Sequence, residues 1–265
     1  VTAVLGFIPK AAGAVAFMLL LSTMGWFDGS TLPLPILILL WVMAVLTMTL
    51  GNVAALLQRS VKRMLAYSSI SHSGYLLIGI IAGPGLGFSA VILYLFVYGL
   101  ANTGAFAVLA SLEREGREIE SVEDLAGLRQ KHPGSAIALA ISSGSLLGFP
   151  PLLGFWGKLA LFIAGIASGH IVLVLIAGVN SAISAWYYLR LVGLPLMSEP
   201  SERSETIDRV AVPWPRFAAI GIAAAMVVLP IFLAGIQDET DVPLPPDTAD
   251  VVATHESGDQ DASGL

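Results

Sequence analysis

Cysteine is absent from all 265 residues. Disulfides, thiolate metal sites and iron–sulfur ligation by this chain are therefore excluded. Charge is scarce: 12% of residues are Asp, Glu, Lys or Arg, against about 25% in soluble domains. No Asp or Glu falls inside any predicted span. There is no phosphate-binding glycine loop, no paired carboxylate and no metal-ligand spacing, and nothing marks a nucleic-acid surface.

What is present is apolar sequence. Hydrophobic residues make up 56% of the chain, with a mean hydropathy of +0.82. They come in runs of about 20 rather than in alternating strands of about ten. That excludes an outer-membrane barrel and indicates an all-α polytopic membrane protein. The chain starts at Val1 inside such a run, with no n-region or cleavage site, so we read it as a fragment lacking its N-terminal part.

The pattern predicts seven spans, one of them broken. They run from about Ala3 to Met24, Leu34 to Leu57, Met64 to Ala82, Phe88 to Ala110, Gly134 to Gly169, Ile171 to Met197 and Phe217 to Ile236. The fifth is too long for one straight helix and contains GFPPLLGFWG. Pro150 and Pro151 lack backbone donors, so a discontinuous helix is expected. Between the fourth and fifth spans lies a polar connection, residues 111–133. In it Ser121, followed three residues on by Asp124, predicts a short capped helix on the surface. Residues 1–236 thus form the transmembrane domain. Residues 237–265 are Asp- and Pro-rich with no Lys or Arg, which predicts a disordered tail.

Basic residues occur in alternate connections: Arg59, Lys62 and Arg63; Arg114, Arg117, Arg129 and Lys131; Arg203, Arg209 and Arg216. By the positive-inside rule these connections are cytoplasmic and the acidic tail is on the outer side.

Besides Arg190, near the end of its span, two lysines break the rule. Lys10 and Lys158 lie within predicted spans. A charge at mid-membrane costs roughly 2.5–3.5 kcal/mol on insertion scales, so it is retained where water, a partner or a function supports it. Lys10 either exchanges protons in a hydrated path or snorkels to the interface; its mid-span position favours exchange. Lys158 sits just past the helix break, and unwound backbone at membrane depth survives only against protein or a wet cavity. The third span, MLAYSSISHSGYLL, is unusually polar. Its serines, Ser69 among them, serve either as interhelical glue or as part of a polar path. His72 is either a satisfied structural residue or a proton relay. Tyr94, Tyr98 and Asn102, spaced by four, share one helical face and either line a water chain or pack against the third span. Trp186, Tyr187, Tyr188 and Arg190 read as an interfacial aromatic belt with its anchor.

The segments VKRMLAYSSISHSGYLLIGI, NTGAFAVLASL, GFPPLLGFWGKLALF and NSAISAWYYLRLV resemble the antiporter-like membrane subunits of respiratory complex I. The likeness is strongest to subunit N of NADH–quinone oxidoreductase. It extends from Val1 to about Ile236. It implies helices eight to fourteen of the family's antiporter-like fold, with the second broken helix at Gly134 to Gly169. It also implies that Lys10, His72 and Lys158 carry protons, with Tyr98, Asn102 and Ser69 supporting the polar axis. The family's first-half glutamate and lysine are expected upstream of Val1. No cofactor is expected on this chain; NADH, flavin, iron–sulfur clusters and quinone belong to other subunits. The implied partners are the other complex I membrane subunits, including homologous antiporter-like ones, and the lipid bilayer, with no nucleic acid. The implied location is a prokaryotic plasma membrane. Multisubunit Na+/H+ antiporters share the repeat, as do hydrogenase and deazaflavin-dependent dehydrogenase membrane arms, and these are the alternatives.

Overall fold

The computed structural model describes residues 2–23, 26, 32–114, 117–201, 206–210 and 213–240. The chain divides into two units, Val1–Pro230 and Ile231–Leu265, and the following account concerns the first. The link GWFDGST, apart from Trp26, and the tail beyond residue 240 lie outside the described residues.

The apolar runs are helices: α1 (Thr2–Thr23), α2 (Leu34–Leu56), α3 (Val61–Ala82), α4 (Leu86–Ala110), α5 (Leu128–Lys131), α6 (Pro133–Leu147), α7 (Leu153–Ala167), α8 (Ile171–Met197) and α9 (Trp214–Thr240). Five stretches are long and apolar enough to cross a membrane: α2, α3, α4, α8 and Trp214–Ile231 of α9. At 15 residues each, α6 and α7 are about 22 Å long, short of a bilayer core of about 30 Å. They are the two halves of the expected broken span.

Helices α3 and α4 are the buried pair, with 67% of their most apolar stretches enclosed, whereas α2 is enclosed over only 22%. Two glycines explain how tightly α2 lies on α3. A Cβ on Gly51 would stand 2.6 Å from the Ser71 nitrogen, and one on Gly74 would stand 2.8 Å from the Met48 nitrogen. The backbones meet with almost nothing between them, as small residues permit in membrane interfaces.

The polar connections are more ordered than the sequence indicates. Strands β1 (Leu112–Arg114), β2 (Arg117–Glu118) and β3 (Ile207–Arg209) form an antiparallel sheet in the order β2-β1-β3. Ser60 also bridges to Ser121, the Val61 N–H donates to the Glu120 carbonyl at 2.9 Å, and the Val122 N–H donates to the Arg59 carbonyl at 3.0 Å. The three basic connections are thus hydrogen-bonded together at one end of the bundle, as the alternation of charge requires. In place of the predicted capped surface helix there is a 3-10 turn, Glu123–Leu125, with Asp124 and Leu125 buried. The Ser121 N–H donates to Asp124 Oδ2 at 3.0 Å and its hydroxyl accepts from the Glu123 N–H at 3.3 Å.

Candidate functional site

Lys10, on α1, points its ammonium at α3. Nζ donates to the backbone carbonyl of Ser69 and to its hydroxyl, the latter at 2.8 Å. It also stands 4.1 Å from the centre of the Tyr98 ring, within cation–π reach. An ammonium away from water needs acceptors, and Ser69 supplies two. Lys10 therefore turns inward rather than snorkelling.

His72 lies at the middle of α3 and is buried. Its ring spends both nitrogens on tyrosines: Nδ1 on the Tyr94 hydroxyl at 2.5 Å and Nε2 on the Tyr188 hydroxyl at 2.8 Å. A neutral imidazole donates through one nitrogen and accepts through the other, so one tyrosine is its donor and the other its acceptor. The Tyr98 ring lies 4.8 Å from the His72 ring, which places Tyr98 between Lys10 and His72.

Lys158 sits six residues into α7 and is buried despite its charge. The break explains how. Helix α6 ends in a Schellman turn: Gly148, at φ +87°, donates to the Ser145 carbonyl at 3.0 Å, and Phe149 donates to the Gly144 carbonyl at 2.9 Å. Lys158 Nζ donates to the Leu147 carbonyl at 2.7 Å and to Ser181 Oγ at 3.0 Å. An ammonium at the C-terminal end of a helix also meets the negative end of its dipole. The Tyr75 ring is 5.1 Å away and stands edge-on to His72 at 6.0 Å. The three expected ionisable residues therefore form one cluster, joined through Tyr98 on one side of His72 and Tyr75 on the other.

A narrow cavity between His72 and Lys158, lined also by Tyr94, Tyr98, Ser145 and Gly154, has room for about one water. Four buried polar atoms nearby along α4 and α6 have no protein partner: Tyr98 Oη, Asn102 Nδ2, Ser142 Oγ and Ser143 Oγ. Buried polar groups without protein partners are where ordered water belongs. Two of the three expected supporting residues, Tyr98 and Asn102, are among these, and Ser69 is the acceptor of Lys10. Among the described residues no cluster of three His, Cys, Asp or Glu could hold a metal ion.

The aromatic belt expected at WYYLR is only partly a belt. Trp186 is 70% exposed, but Tyr187 and Tyr188 are fully buried. Consecutive helical residues lie about 100° apart, so neighbours in sequence face different surroundings. Tyr188, Tyr75, Ser145 and Ser181 also border the candidate site, and sequence reasoning assigned none of them to it. The stripe Ser181, Ser184, Tyr188, at spacings of three and four, is the signal that marks α8 as facing the polar core.

A family profile described as NADH:quinone oxidoreductase/Mrp antiporter, transmembrane, matches residues 1–184. NADH-quinone oxidoreductase subunit N of Salinibacter ruber is 44% identical over 206 residues, which is 74% of this chain and 41% of that protein. A chain of respiratory complex I from Thermus thermophilus superposes with a TM-score of 0.65 at 36% identity, covering 74% of this chain and 43% of the other. A chain of the Mrp complex from a Dietzia species has a TM-score of 0.64 at 22% identity, over 76% of this chain and 45% of its own, and shows the shared fold. The chain spans roughly two fifths of the length of the curated relatives it matches. It belongs to the NADH:quinone oxidoreductase/Mrp antiporter transmembrane family.

Proposed function

We propose that this chain is part of a proton-translocating membrane subunit of a NADH–quinone oxidoreductase, of the subunit N type. The observation that carries the reading is the single cluster made by Lys10, His72 and Lys158 around the Tyr98 and Tyr75 rings. Its chemistry is electrostatic. Like charges repel strongly where the dielectric is low, so a proton arriving at Lys10 favours release of one from Lys158. His72 and the water at Tyr98 and Asn102 link the two. Quinone reduction elsewhere in the complex changes the charge pattern and drives the transfer; this chain supplies the downstream half of the proton path and no redox centre. Its partners are the other membrane subunits, homologous ones included. It resides in a prokaryotic plasma membrane with the basic connections cytoplasmic and the acidic tail, residues 237–265, outside.

The test is Lys158→Ala in the assembled complex, read as protons moved per quinone reduced. The reading predicts loss of translocation, and undiminished pumping overturns it. Copurification with flavin, iron–sulfur and quinone-reducing subunits separates this reading from a multisubunit Na+/H+ antiporter, which holds no redox partners.

A further inference from the structure

A second buried polar network lies between α2 and α8, outside the lysine–histidine cluster. Asn52 and Asn180 are both buried. Asn52 Nδ2 donates to the Asn180 carbonyl at 3.0 Å and to Asn180 Oδ1 at 3.1 Å, and Asn52 Oδ1 accepts from the Tyr187 hydroxyl at 2.8 Å. Asn180 Nδ2 donates to the Ile176 carbonyl at 3.0 Å and to Thr49 Oγ1 at 3.4 Å. Every polar atom of the two amides has a partner. Such a network adds little stability over apolar packing, and the use best attested for one is to fix register.

Register matters here because α8 supplies partners to two members of the cluster. Ser181 accepts from Lys158 and Tyr188 meets His72. They are seven residues apart, two turns along one face. A slip of one residue turns that face by about 100° and removes both hydroxyls together. Helix α2 is a fitting reference because Gly51 and Gly74 press it against α3, which carries His72.

We infer that Asn52 is a positioning residue: its clasp on Asn180 and Tyr187 locks α8 so that Ser181 and Tyr188 face Lys158 and His72. The inference rests on the proton-transfer reading above. The test uses Asn52→Leu, which keeps the branched skeleton without polar atoms, and Tyr187→Phe, which deletes one hydroxyl, each in the complete membrane complex. The expected result is normal assembly, with translocation per quinone reduced lowered about fivefold by Asn52→Leu and in the same direction by Tyr187→Phe. The pH profile of translocation is also displaced, by about half a unit. If the variants change only the amount of assembled complex, with parental translocation and pH profile per complex, the clasp is packing and the inference falls. Lys158→Ala, measured alongside, separates the two ideas. Loss there with no effect at Asn52 sinks the clasp alone, whereas no effect at Lys158 sinks the reading beneath it.

Discussion

Ser145 and Lys158 cap each other's half-helices. Ser145, on α6, accepts the Gly154 N–H in the first turn of α7 at 3.0 Å. Lys158, on α7, donates to the Leu147 carbonyl at the end of α6 at 2.7 Å. Each side chain satisfies a backbone group that the break leaves without an intrahelical partner. The discontinuity is therefore a closed hydrogen-bonded joint, and the charge at its centre is one of the groups that closes it.

Ser145→Ala removes one half of that joint. Losing a side-chain cap costs about 1 kcal/mol, so a modest drop in the thermal midpoint is expected. Gly154→Ala should be far worse. A Cβ there would stand 1.7 Å from the Ser145 carbonyl oxygen, a backbone atom, and cannot be placed without prising the half-helices apart. Thermal unfolding of the purified complex ranks the two, and equal midpoints would show that the break is not closed in this way.

Around His72 the three tyrosines predict different outcomes. Tyr94→Phe and Tyr188→Phe each strip a buried imidazole nitrogen of its partner, at a cost of about 1–3 kcal/mol. Tyr98→Phe removes a hydroxyl that has no protein partner while keeping the ring beside Lys10. It should leave the unfolding midpoint near the parent's and, on the proposed proton path, lower translocation, because a phenyl ring offers water no hydrogen-bonding partner there. Stability and proton transfer measured on the same three variants check this, and a fully active Tyr98→Phe would remove Tyr98 from the path.

At Lys10 the two acceptors are separable. Ser69→Ala deletes the hydroxyl but leaves the backbone carbonyl. The loss is one hydrogen bond to a charged group, about 1.5–3 kcal/mol at most, and translocation should fall but persist. On the proposed function Lys10→Met removes a proton carrier and should abolish translocation. Proton uptake into vesicles distinguishes the pair. Equal effects would mean that Lys10 depends on the Ser69 hydroxyl entirely.

Hydropathy and two prolines made the spans and the break legible, because a membrane forces each helix to satisfy its own backbone. Lys10, His72 and Lys158 stood out for a similar reason: ionisable residues are conspicuous where they are expensive. The α8 partners did not. Tyr187 and Tyr188 beside Trp186 and Arg190 have the composition of an interface, and only helical phase separates the buried pair from the exposed tryptophan. Strands β1, β2 and β3 could not be read at all. Each is two or three residues long, and β1 and β3 meet only because the bundle brings distant connections to one end.

That sheet carries the last prediction. Glu113 lies opposite Glu118 on β2 and Asp208 on β3, a row of carboxylates that repel when directly opposed. Lys62 pairs with Glu118, and Lys131 pairs with Asp208 at 3.1 Å. Hydrogen bonding and charge from Lys62 hold the Glu118 carboxyl below its ordinary value of 4.5. The sign follows: the stabilisation is complete above that ordinary value and is lost as pH falls through the lowered one, so it stays constant across neutral pH. Glu118 is highly exposed, which keeps the contribution within about 0.2–1 kcal/mol and subject to screening by salt. Lys62→Gln should therefore leave the helical bundle's unfolding unchanged while speeding proteolysis within residues 111–133 at pH 7. High salt should reproduce the effect in the parent. Cleavage rates indifferent to both would show that the backbone pairing of β1 with β3 holds the connection without help from its lysines.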